Sequence, residues 1–576
     1  MKKLFIIIPA LAMMLGVNAC TDSYMEDLNT DKSKATTMDA NALLTNALLQ
    51  PYGDFGLMDT YRSYITGFTQ HMAGGWNVTN YAGSVHADNN QMRLVWDQFY
   101  QVGIKNLVDG IANSADQPNL NAVLRIHFVY MISILTDIYG DVPCSEAGKG
   151  YTAGKYTPKY DSQKDIYDFF FSELAECEAQ LGTGNDVVTG DVTSFNGSVA
   201  KWKKYANSLR MRFAMRISNI EKEKARAEFE AALAAEGGYI ADASDDAYVR
   251  FLDGPFTLYE GSRDLDFRVN ALGEVLYGQD PTSPSFVCAT LFNQLRNTGD
   301  PRLYRICRHY INTKRSELGP DAGTVDLTDE VLAWQANMGL SPIPNNPGAA
   351  WYNDWPASVP TKDDIPTLGA MVAQDPSAGY DQNNFPVRMI RPALSVDFEK
   401  ADRPGILFTS AEAEFLLAEA YLKGWNVTGD AEGHFRAGVQ ASIELLNRHY
   451  LSDGLQISAD ETSDFINSLV AAEPVDEKAI NTQAWILHLT NPSEAWANLR
   501  RSDYPVLMDR SQLPTFPSQF TYDDDNLNTP VRLKYPKDEE VLNAANYKAA
   551  LSRISAEGKD DWHAPLWWDT DDIHVQ

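Results

Sequence analysis

Cysteine is scarce in this chain, and none of the five forms a CxxC pair, which argues against a zinc site or a dithiol redox centre. Histidine is nearly as sparse. The nine present are scattered, with no HExxH and no close i, i+4 pair, so a metalloprotease helix is not encoded. A GxSxG elbow is also missing. The run GKGYTAGKY around Gly148 imitates a phosphate loop. Lys149 stands where the first glycine is required, however, and Tyr156 where the magnesium-binding hydroxyl belongs. Asp523-Asp524-Asp525-Asn526 resembles the start of a calcium loop. Read from Asp524, it has Thr529 at the glycine position and Tyr535 at the twelfth, and so reads as a solvated acidic turn. No metal and no cofactor is expected. Positive charge is also in deficit: 48 Lys and Arg against 78 Asp and Glu leave a net charge of −30. That balance argues against nucleic acid and against a basic membrane-docking patch, and it favours a neutral or cationic ligand.

Long apolar runs are missing everywhere except at the start. Lys2 and Lys3 precede an apolar stretch from Leu4 to Val17, followed by Val17-Asn18-Ala19-Cys20. This is the pattern of a bacterial lipoprotein signal, too short to span a bilayer and ending in small residues before a cysteine. Residues 1–19 are expected to be removed and Cys20 to carry the lipid. Several acyl chains on one cysteine anchor a protein stably where a single chain does not. Residues 20–37 are polar and acidic (Asp22, Glu26, Asp27, Asp31) and read as a flexible tether. Cys144, Cys177, Cys288 and Cys307 remain, compatible with up to two disulfides or with buried free thiols.

Downstream, the 3.6-residue period dominates. Leu124, Phe128, Met131, Leu135 and Ile138 mark one face of a helix within Leu120 to Tyr139. Ser162 with Asp165 resembles a capping box opening a second helix, striped by Ile166, Phe169, Phe170, Leu174, Cys177 and Leu181. A third, from about Val199 to Ser218, carries Lys201, Lys203, Lys204, Arg210, Arg212 and Arg216. In so acidic a chain these point to ion pairs with neighbouring helices more than to a phosphate site. In Thr409 to Tyr450 two helices put Ala411, Phe415, Ala418 and Leu422, then Phe435, Val439, Ile443, Leu446 and Tyr450, on facing sides. Leu417, Ala418 and Tyr421, followed by Ala431, Phe435 and Gly438, fit a tetratricopeptide template with one inserted loop residue. The expected fold is all-α: an irregular helical bundle with tetratricopeptide-like repeats, at about 92–235 and 405–556, in a single domain over 38–576.

Between about 237 and 404 the period is lost and Pro, Gly, Asn and Asp crowd together. Long irregular loops in a compact domain are usually functional, and these carry aromatic residues. Trp76, Asn77 and Tyr81 lie in an earlier Gly/Asn-rich loop, Phe256 and Tyr259 follow Gly254-Pro255, and Trp351, Tyr352, Asn353, Trp355, Tyr380 and Asn383 lie in the long irregular stretch. Aromatic faces stack on the C–H faces of sugar rings or on peptide side chains, while neighbouring amides supply directional hydrogen bonds. These eleven residues are the candidate ligand contacts. No catalytic residue is proposed, since no acidic pair is framed by a recognisable motif.

Seven segments in order carry a resemblance: LNTDKS (Leu28 to Ser33), YGDVP (Tyr139 to Pro143), PKYDSQKDIYDFF (Pro158 to Phe170), WKKYANSLRMRFAMRIS (Trp202 to Ser218), AEFLLAEAYLKGW (Ala413 to Trp425), NPSEAWANLRRSDYP (Asn491 to Pro505) and PVRLKYPKDEEVLNAANY (Pro530 to Tyr547). The sequence resembles the SusD/RagB family of nutrient-binding outer-membrane lipoproteins, specifically its SusD-like group. It departs from the family where Lys32 replaces the usual proline. The resemblance implies a helical body with a less regular ligand-binding portion. The protein would be held to the outer membrane by lipid and would face the cell exterior. It would act as a lid on a TonB-dependent, SusC-like transporter barrel and deliver oligosaccharides without catalysis. A branch of the family takes oligopeptides. A surface glycoside hydrolase and a purely structural repeat adaptor are the lower alternatives.

Overall fold

The computed structural model describes residues 38–53, 55–74, 76–253, 268–277, 285–310, 324–325, 392–509, 526 and 528–570. The main helices are α1 (Ala40–Gly53), α2 (Lys105–Ala112), α3 (Pro118–Tyr139), α4 (Gln163–Gln180), α5 (Val199–Arg216), α6 (Lys222–Leu233), α7 (Ser410–Leu422), α8 (Ala431–His449), α9 (Ala459–Ala472), α10 (Glu477–Leu487), α11 (Pro492–Ser502) and α12 (Ala544–Ile554). Strands are short: β1 (Met72–Gly74), β2 (Ala247–Val249), β3 (Ser285–Val287), β4 (Cys307–Tyr310), β5 (Thr324–Val325), β6 (Pro392–Leu394) and β7 (Gly405–Phe408).

α3 is the core helix. Pro118 sits at its first turn, where its missing N–H is not needed, and the Asp186 carboxylate takes the Asn119 and Leu120 N–H groups at 3.2 and 2.9 Å. Gly140, at φ 91°, ends it. The apolar spacing predicts one buried face, but the helix is buried almost all round, because α1, α2, α4, α5 and α11 pack about it. It is long and apolar enough to cross a membrane, and its burial within the fold accounts for that composition instead.

Only half of the capping box expected at α4 forms. Ser162 Oγ accepts the Asp165 N–H at 3.1 Å, while the Asp165 carboxylate accepts from the Ser162 hydroxyl instead of reaching back to the backbone. α7 and α8 form the helix pair that the template spacing predicts. A Cβ on Gly438 would come within 2.6 Å of the Phe415 ring, so this crossing needs a residue with no side chain. All of α7 from Ser410 to Ala420 except Glu414 is buried, since α5 and α10 cover the sides that α8 leaves. Leu422, expected on the packed side, and Tyr421, at the tyrosine position of the template, are exposed in the last turn.

β2 pairs antiparallel with β7, Tyr248 opposite Ile406 and Val249 opposite Gly405. The irregular portion therefore leaves the helical body and returns to it at one place. Cys144, Cys177, Cys288 and Cys307 are all buried free thiols.

Candidate functional site

A buried charge network joins the helices of the body. Arg212 grips Glu412 with two bonds (Nε–Oε1 2.6 Å, Nη2–Oε2 2.7 Å) and donates to the Leu407 carbonyl. Arg216 donates to both oxygens of Glu494 at 2.7 and 2.6 Å and lies 3.5 Å from Asp137, which also accepts from Tyr167 and Trp568. Arg501 clasps Glu419 at 2.6 and 2.8 Å. The ion pairs expected of the basic helix are thus present. Arg210 reaches Glu228, and Lys204 reaches Asp245.

Burial works against the Glu494 carboxylate, yet Arg216 and Arg212 hold it well below its ordinary range; burial lifts Glu412 above its own, despite Arg212. Glu412, His488 and Glu494 lie close enough to hold a metal ion. The set is unsuited to one, because its two carboxylates are already matched by two guanidiniums. His488 is pushed down to about 3, chiefly by burial, and is neutral. The cavity beside Glu412, Glu419 and Glu494 measures about 20 Å³, room for a water and not for a sugar.

A second junction forms at Gln70, whose backbone is left-handed at φ 54°. Its side chain donates to the Met508 carbonyl at 2.9 Å, accepts the Met508 N–H at 3.0 Å, and accepts from the Thr290 hydroxyl. Next to it, His71 stacks on Trp485 with centroids 4.4 Å apart, and the Cys288 N–H bonds to the His71 carbonyl. β1 then pairs antiparallel with β3, Met72 opposite Val287 and Gly74 opposite Ser285. β6, which pairs with β4, packs beside β3. The chain just before Trp76 is thereby fastened to β3 and, through it, lies near β6.

Trp76 begins a single helical turn, Trp76–Val78. Asn77 is buried, donates to Ser63 Oγ at 3.3 Å, and has an Oδ1 without a partner among the described residues. Tyr81 is half-buried in a π-helical turn, Thr79–Gly83, and packs on Tyr64 and His86. Such turns recur at functional sites. Phe256, Tyr259, Trp351, Tyr352, Asn353, Trp355, Tyr380 and Asn383 lie outside the described residues, as do Cys20 and most of the Asp523 acidic turn. Sequence reasoning passed over Gln70, His71 and Thr290. A single left-handed glutamine leaves no periodic trace.

An apolar cavity of about 520 Å³ opens elsewhere, between α2, α3 and α4, over Val108, Ile111, Phe128, Ile166 and Phe169. Its charges are already engaged: Arg125 by Glu173 and Glu176, and Asp161 by Lys159, Ser145 and the Cys144 N–H. Little is left there to orient a polar ligand.

Residues 31–339 match the family described as "Starch-binding associating with outer membrane", and residues 378–569 match "Susd and RagB outer membrane lipoprotein". A solved structure described as "Bacteroidetes AC2a SusD-like" is 36% identical, with a TM-score of 0.80 over 93% of this chain and all of the other. A chitin-binding protein is 28% identical, with a TM-score of 0.70 over 92% of this chain and all of its own. A SusD homologue from Parabacteroides distasonis ATCC 8503, 22% identical over 93% of this chain and 99% of the other, shares the fold with a TM-score of 0.63. A search of the curated proteins gave no match. The chain belongs to the SusD/RagB family of outer-membrane lipoproteins.

Proposed function

We propose that this protein captures oligosaccharides at the cell surface, leaves them intact, and passes them to a TonB-dependent transporter barrel in the same membrane, to which it is tethered by lipid on Cys20. The observation that carries the reading is the junction at Gln70, where β1, leading into Trp76–Tyr81, is bound to β3 within the loop-rich portion. A rigid base under aromatic loops suits ring stacking. The chitin-binding relative and the starch-binding family description favour a glycan over a peptide. The carboxylates Glu412, Glu419 and Glu494, buried, paired with arginines and beside a cavity of about 20 Å³, support binding without hydrolysis. Calorimetry with chitin oligosaccharides tests the platform: Trp76→Ala and Trp351→Ala should each weaken binding about tenfold, the worth of one aromatic contact. Unchanged affinity in both variants overturns it. Recovery of a large barrel protein with the lipoprotein from detergent-solubilised outer membranes tests the partner.

A further inference from the structure

A second recess holds two charged side chains, Arg296 and Asp464, that are unengaged among the described residues. It is an open cavity of about 650 Å³ between the helix Ala289–Asn297, the turn Leu303–Ile306 and α9, within the range of about 300–1,000 Å³ common for small-ligand sites. Leu295, Leu303 and Phe465 form its apolar floor, and Tyr304 stands 41% exposed on its wall. Arg305 and Glu461 pair at 2.7 Å and brace one side. Arg296 and Asp464 line the recess from opposite helices. Both are exposed, and neither makes an ion pair or a side-chain hydrogen bond among the described residues. An unengaged guanidinium stands out in a chain with 48 basic and 78 acidic residues, and it contrasts with the paired charges of the cavity between α2, α3 and α4.

An aromatic face, a planar donor and a carboxylate acceptor around one recess make a set that recognises polyhydroxylated rings. The carboxylate accepts from two neighbouring hydroxyls, the guanidinium donates to a hydroxyl or amide oxygen, and the ring takes the apolar C–H face. We propose that this recess is a second glycan subsite, with a sugar ring against Tyr304, Asp464 accepting its hydroxyl protons and Arg296 donating to an oxygen of the same or the next unit. The proposal rests on the glycan reading of the protein. The helix bearing Arg296 begins just after β3, so the subsite is built on an element already tied to the loop junction.

The test is calorimetry of the full-length lipoprotein in detergent with the hexasaccharide of chitin. The substituted positions are exposed, and an unchanged melting temperature verifies folding. Tyr304→Ala and Asp464→Asn are each expected to weaken binding about tenfold or to abolish one of two binding events, with Tyr304→Phe retaining binding because it keeps the ring. If the wild type binds and both Tyr304→Ala and Asp464→Asn bind equally well, the subsite is wrong and the Trp76 platform stands. If the wild type binds none of chitin, starch or xylan oligosaccharides, the glycan reading fails and takes the subsite with it.

Discussion

Glu419 shows at the level of one residue what the buried network does. Burial would raise its carboxyl, but Arg501 and Lys423 outweigh that penalty and hold it at about 2, below the ordinary 4.5. A depressed acid contributes stability that is present above its unfolded value and is lost as pH falls from about 4.5 towards 2. Glu419→Gln should therefore lower stability at neutral pH by about 3 kcal/mol, by leaving Arg501 buried and unmatched. Between pH 4.5 and 2 it should lose less than the wild type does. Chemical denaturation at both pH values reads this, and parallel acid profiles would contradict it. The cysteines give a second check. Burial pushes Cys177 up to about 12 and moves Cys144 and Cys307 in the same direction. A thiol reagent should leave these three and Cys288 untouched in native protein and react with all four after unfolding; rapid native labelling would refute the burial. The sequence made Arg212 and Arg216 legible as ion-pair formers, but not their partners. Glu412 and Glu494 lie 200 and 278 residues away, and period and spacing carry no information over that range.

Among elements, the helices were the legible part, since apolar spacing and caps are local. Ser198, Thr409 and Asp430 each accept the N–H three residues on, as a capping residue should. What spacing could not supply was how many neighbours a helix has, and for that reason α3 and α7 are buried on more than one face. The α7–α8 crossing gives a direct test. Gly438→Ala puts a methyl group within 2.6 Å of the Phe415 ring and should destabilise by about 1–3 kcal/mol. Adding Phe415→Leu should recover part of that loss, so the double variant is less damaged than the sum of the two single ones. Strict additivity in thermal melts would show that the two residues do not meet.

For the whole molecule, the order of the seven segments that carry the resemblance was enough to read the family, and the structure gives one physical reason. Asp137, Arg212, Arg216, Glu412, Glu419, Glu494 and Arg501 come from four of those segments or lie within two residues of one, and they meet in the buried charge network. The candidate ligand contacts were less legible. The stretch Ser341 to Pro392 has no period from which to place a side chain, and Asn77 and Tyr81 are partly committed to packing on Ser63, Tyr64 and His86. The most direct test of capture without cleavage is to incubate the full-length lipoprotein with chitin oligosaccharides, separate bound from free ligand, and weigh the recovered sugar by mass spectrometry. The account predicts that bound glycan returns at its original length. Shortened products, or retention of peptides with no glycan retained, would contradict it.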